Sequence, residues 1–153
     1  MKKWLLSTII LLSTFGYGQE MLHYRHMLER AVKDRGAADK ILKLLEEKKV
    51  KSNLLHGYEG MAHFFVARHH YNPVSKLNHF HKGKHLLDGA INRDKNNLEL
   101  RFYRLLVQEK VPFVLKYSSN LEEDRKFVFE NSAHAKDRDL AEKILKYKKK
   151  HKK

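Results

Sequence analysis

The chain has 153 residues, enough for one domain around a single core, and its total lack of cysteine excludes disulfides, thiol nucleophiles and thiolate metal sites. Lys and Arg number 32 against 18 Asp and Glu, a formal net charge of +14. That excess favours anionic partners and weak polyanion binding, and is silent about fold.

Residues 1–18 read as a cleavable export signal. Lys2 and Lys3 precede a nearly continuous apolar run from Trp4 to Phe15, and Gly16-Tyr17-Gly18 sets small residues at −3 and −1 of a cut before Gln19. The run falls short of the ~20 residues a membrane-spanning helix needs. No later segment is apolar enough to span, and no Cys follows to carry a lipid anchor. The expected location is periplasmic or secreted, with a single helical domain over 19–145 and a lysine-rich tail, 146–153, that frays in solvent.

The mature segment carries helical periodicity nearly throughout, and its two prolines, Pro73 and Pro112, sit at breaks. A first helix is expected from about Glu20 to Asp34, with Tyr24, Met27, Leu28, Ala31 and Val32 on one stripe and Gly36 ending it. A second, about Ala37 to Lys49, buries Ala38, Ile41, Leu42 and Leu45. Ser52 N-caps a third, which runs to about His69 with Leu54, Tyr58, Met61 and Phe65 on one face. Asn72-Pro73 opens a fourth, to about Asn92, burying Leu77, Phe80, Gly83, Leu87, Ala90 and Ile91.

The fifth helix, about Asn97 to Lys110, is apolar on two sides. Leu98, Phe102 and Leu105 oppose Leu100, Tyr103 and Val107, so the helix is expected between two neighbours. One short turn is expected between Pro112 and Tyr117. Asn120 then opens a sixth helix with acidic Glu122, Glu123 and Asp124 in its first turn, as the helix dipole favours. A last helix, about Lys136 to Lys148, packs through Leu140, Ile144 and Leu145.

The fold class is therefore all-α, in antiparallel pairs. Gly83, Leu87 and Ala90, followed by Asp94-Lys95-Asn96-Asn97-Leu98-Glu99, resemble the second half of a tetratricopeptide repeat, with Lys95 where the repeat has Pro. Leu54, Gly57-Tyr58 and Met61 echo the first half, so about one and a half degenerate repeats of the ~34-residue period are covered. Tyr58-Glu59-Gly60, Asn72-Pro73, Leu77-x-x-Phe80, Lys82-Gly83, Leu86-Leu87, Asn97-x-Glu99-x-Arg101-Phe102, Gln108 and Ser118-x-Asn120-x-Glu122-Glu123-Asp124 together resemble small exported Bacteroidetes-type proteins with tetratricopeptide-like helices. The periodicity gives about six to seven helices, expected as a degenerate tetratricopeptide-like α-α superhelix, and the resemblance supports that fold and an exported location. It implies no activity.

No Gly-x-Ser-x-Gly elbow, phosphate loop or His-Glu-x-x-His motif occurs, so no catalytic residue and no cofactor is expected. Arg101, Arg104 and Gln108 share a third stripe of the fifth helix. They either pair internally with acids such as Glu59, Glu123 or Asp124, or line a groove, with Glu59, that grips an acidic peptide or a chain terminus. Internal pairing is favoured because a sandwiched helix needs its charges satisfied. His81, His85 and Asp88 lie at i, i+4 and i+7 and offer a weaker, metal-binding alternative among eleven histidines. His56, Glu59, His63 and His70 form a polar stripe on the third helix. The expected function is a non-enzymatic binding or scaffolding module with a protein or peptide partner. The alternative is a basic envelope- or polyanion-associated protein; specific nucleic-acid binding is not expected.

Overall fold

The computed structural model describes residues 18–151; the expected export signal lies outside them, apart from its last residue, Gly18. The described chain is all-helical. Helix α1 spans residues 18–31. It is followed by α2 (Arg35–Glu46), α3 (Asn53–His69), α4 (Pro73–Arg93), α5 (Leu98–Gln108), α6 (Leu121–Asn131) and α7 (Arg138–His151). Single 3-10 turns at Phe113–Leu115 and Ser132–His134 flank α6. No helix among the described residues is long and apolar enough to cross a membrane.

Side-chain caps set most of the boundaries. Ser52 Oγ accepts the Leu55 amide at the start of α3, Asn72 Oδ1 accepts those of Val74 and Ser75 at α4, and Asn97 Oδ1 accepts that of Leu100 at α5. Asp34 corrects the expected first boundary. It caps α2 through the Ala37 amide, so Gly36 lies inside α2 rather than ending α1. Asn120 occupies the cap position of α6 but makes no side-chain cap bond. Its acidic neighbours serve another purpose, described below.

Antiparallel packing of α3 and α4 forms the centre. Asn53 Nδ2 donates to the Ala90 carbonyl at one end, and Phe64 meets Phe80 edge-on at the other. Between them Gly60 faces Gly83, so the two backbones run in direct contact. Leu87 on this seam is fully buried. Leu87→Ala should cost about 2–5 kcal/mol of unfolding free energy by urea titration; a change within ~0.5 kcal/mol is the surface value and would remove Leu87 from the seam.

Helix α5 divides the interior, as its two apolar stripes require. Leu100, Tyr103 and Val107 join the main core with α1 to α4. Leu98, Phe102 and Leu105 join a second cluster with Val128 of α6 and Leu140, Ile144 and Tyr147 of α7.

Two apolar expectations fail, and a third concerns the tail. Leu77 is 43% exposed, because the segment that covers α4 reaches only as far as Phe80, where Tyr117 packs against it. Leu145 is 52% exposed, and Tyr147 is buried in its place, edge-on to Phe102. Tyr147 extends the apolar stripe of Leu140 and Ile144 by one turn, and the segment from Lys146 is helical. It continues α7 to His151, and Lys148 donates to the Phe129 carbonyl at 2.9 Å.

Candidate functional site

Each buried ionisable cluster begins with a charged residue that helix packing forces inward. The first sits where α1, α3, α5 and the turn before α7 meet. Arg25 grips Glu99 with two bonds, Nε to Oε1 at 2.6 Å and Nη2 to Oε2 at 2.7 Å. Its Nη1 donates to Asp137 at 2.8 Å, and the Tyr58 hydroxyl donates to Glu99 at 2.5 Å. Burial opposes charge on Arg25, but its bonds to Glu99 and Asp137 outweigh burial and hold it above the ordinary range. Sequence reasoning missed this network, because Arg25 sits among polar neighbours on a helix whose apolar stripe was clear.

The second cluster contains the expected groove residues. Arg101 and Arg104 are 7% and 6% exposed, and both point at Asp124, which is 0% exposed. Arg101 Nε meets Asp124 Oδ1 at 2.7 Å, and its Nη2 meets Glu123 at 2.7 Å. Arg104 binds both Asp124 oxygens, at 2.6 and 2.9 Å. Burial lowers the Arg104 pKa, and the bond and charge of Asp124, with the charge of Asp88, more than restore it. The first-turn acids of α6 thus clamp α6 onto α5. Of the two readings of this stripe, the geometry matches internal pairing. A groove ligand would have to displace a fully buried carboxylate.

Gln108, the third member of that stripe, is 4% exposed, and neither its amide nitrogen nor its amide oxygen finds a partner among the described residues. Removing an orphaned buried amide should help, so Gln108→Met is expected to raise stability by about 1–3 kcal/mol. Thermal and urea unfolding would check this; a loss of stability instead would mean that the amide is bonded in solution.

His81 and His85 are exposed along α4, over an open depression of about 330 Å³ that they share with Lys84 and Asp88. Asp88 does not join them as a ligand set. Its Oδ1 accepts from the Tyr117 hydroxyl at 2.8 Å and faces Arg104 Nη1 at 3.5 Å.

Glu59 lies apart from Arg101 and Arg104, on the side of α3 that faces α2. Its Oε2 accepts from Lys51 Nζ at 2.6 Å. There the polar stripe of α3 folds inward, leaving Glu59 8% and His63 2% exposed. His63 Nδ1 lies 2.9 Å from His79 Nδ1, and His63 Nε2 lies 3.8 Å from a Glu46 oxygen. Burial first, then the charges of His79, Lys82 and Lys51, push the His63 pKa down to about 4, so its ring is neutral at pH 7. Ligand atoms of Glu46, Glu59 and His63 all fall within 4.8 Å of one another, the only such group of three among the described residues. The i, i+4 spacing of Glu59 and His63 was visible in the sequence; the contribution of Glu46 from α2 was not.

Comparison of the chain with protein-family models, curated proteins and solved structures finds no match.

Proposed function

We propose that the protein is an exported, non-enzymatic helical module that binds an acidic partner through its outer cationic faces. One observation carries this reading. The buried charged residues, Arg25, Arg101 and Arg104 with Glu59, Glu99 and Asp124, balance one another, so the whole cationic surplus of the described chain stays at the surface. Helix α7 is its densest stretch: Lys146, Lys149 and Lys150 are exposed on a helix that Tyr147 anchors. Such a face attracts acidic proteins and polyanions by long-range steering, with strong salt dependence. The export pattern of residues 1–18 and the resemblance to exported tetratricopeptide-like proteins support the location.

The test is capture of envelope components by the purified protein and by its Lys146→Glu/Lys149→Glu/Lys150→Glu variant. These positions are exposed, so the fold should be preserved, as circular dichroism would verify. The proposal expects an acidic partner that the variant fails to retain and that moderate salt releases from the parent protein. Equal, salt-resistant capture by both proteins would overturn it.

A further inference from the structure

We infer that Glu46, Glu59 and His63 form a binding site for one divalent transition cation of the zinc class, with His79 orienting the imidazole. This site is independent of the cationic faces proposed for partner binding.

The donor set selects the cation. One imidazole nitrogen with two carboxylates suits zinc and its neighbours, whereas calcium and magnesium prefer all-oxygen shells. Three protein ligands leave a fourth tetrahedral position for water. The ligand atoms already lie within 4.8 Å of one another, with His63 Nε2 and Glu46 Oε1 at 3.8 Å. Zinc bonds of about 2.0–2.1 Å imply ligand separations of ~3.4 Å, so closure by at most about 1.4 Å is needed.

Glu59 and His63 are held on the buried face of α3, while Glu46, at the last residue of α2, has a side chain 50% exposed, so solvent reaches the site from its side. His63 directs Nε2 toward the carboxylates while Nδ1 is engaged by His79 at 2.9 Å. An imidazole ligand fixed through its other ring nitrogen is the usual arrangement at metal centres. His79 is in turn stacked on His70, with ring centroids 5.7 Å apart.

Lys51 gives the proposal its sharpest consequence. Its ammonium sits 2.6 Å from Glu59 Oε2, where it competes electrostatically with an incoming cation. A carboxylate has a second oxygen, so Lys51 does not exhaust Glu59. Removing that ammonium should therefore strengthen metal binding, an effect opposite to that of removing a ligand.

Isothermal titration of the purified protein with zinc chloride tests the site. The expected result is one zinc per chain, weakened about ten-fold or more by Glu46→Ala and by Glu59→Gln, and tightened by Lys51→Met. Glu46 is half-exposed, so the first variant reads binding with the fold intact. His81→Ala/His85→Ala should leave the one-to-one uptake unchanged. Zinc uptake that survives Glu46→Ala and Glu59→Gln undiminished, uptake that disappears with His81 and His85, or no stoichiometric uptake at all would overturn the inference.

Discussion

Asp124→Asn should lower the unfolding free energy by about 3–5 kcal/mol, among the largest effects of any single substitution in this chain. Asp124 is fully buried and accepts from Arg101 once and from Arg104 twice. The amide keeps the shape but removes the charge, leaving two buried guanidinium groups facing each other. Glu123 and Asp88 cannot compensate: Glu123 is 67% exposed, and Asp88 reaches Arg104 only at 3.5 Å. Against a typical total of about 5–15 kcal/mol, such a loss would unfold a sizeable fraction of the protein near physiological temperature. Urea unfolding of the variant is the measurement. A loss below about 1 kcal/mol would mean that the arginines turn to solvent at little cost, and would reopen the groove. Replacing the whole cluster by apolar residues of similar volume, Arg101→Met/Arg104→Leu/Asp124→Leu, should be far milder than Asp124→Asn alone. Breaking a buried pair leaves an unpaired charge, and removing all its members does not.

This cluster also marks where the sequence stops being informative. The two-sided apolar pattern of α5 placed it between neighbours, and the third stripe of Arg101, Arg104 and Gln108 followed from the same helical period. Whether that stripe met solvent or an acid depended on the position of α6, which no local pattern specifies. The acidic first turn of α6 was legible as a favourable helix start, yet its main structural role is to fill the space beside α5. The α3 stripe shows the same limit. His56 and His70 stay half-buried while Glu59 and His63 are enclosed, because α2 and the Lys51 linker cover only the middle of that face. Cap residues were the most legible feature: Ser52 and Asn72 act through bonds within three residues of themselves, so no tertiary information is needed. Tyr147 was missed because the lysines around it drowned the apolar period.

Gly60→Ala should be the most damaging substitution of small size, at about 3 kcal/mol or more, the upper end for overpacking. A Cβ at residue 60 would stand 2.9 Å from the Gly83 carbonyl oxygen and 2.9 Å from the Leu87 amide nitrogen. Both are backbone atoms of α4, so no side-chain rotation relieves the clash, and the helices must separate. The reverse substitution, Gly83→Ala, meets the Gly60 carbonyl oxygen at 2.8 Å and the Phe64 ring at 3.2 Å. Because either change alone forces α3 and α4 apart, the double variant should cost clearly less than the two single losses added together. Gly89→Ala supplies the contrast within α4. The nearest atom to its added Cβ is the flexible end of Arg93 at 3.8 Å, so the helix should gain about 0.5–1 kcal/mol from the lost backbone freedom. Urea titrations of the four variants read these signs directly. Additive losses at residues 60 and 83 would mean that the two glycines serve separate contacts, and a tolerated Gly60→Ala would mean that the seam between α3 and α4 is wider than described.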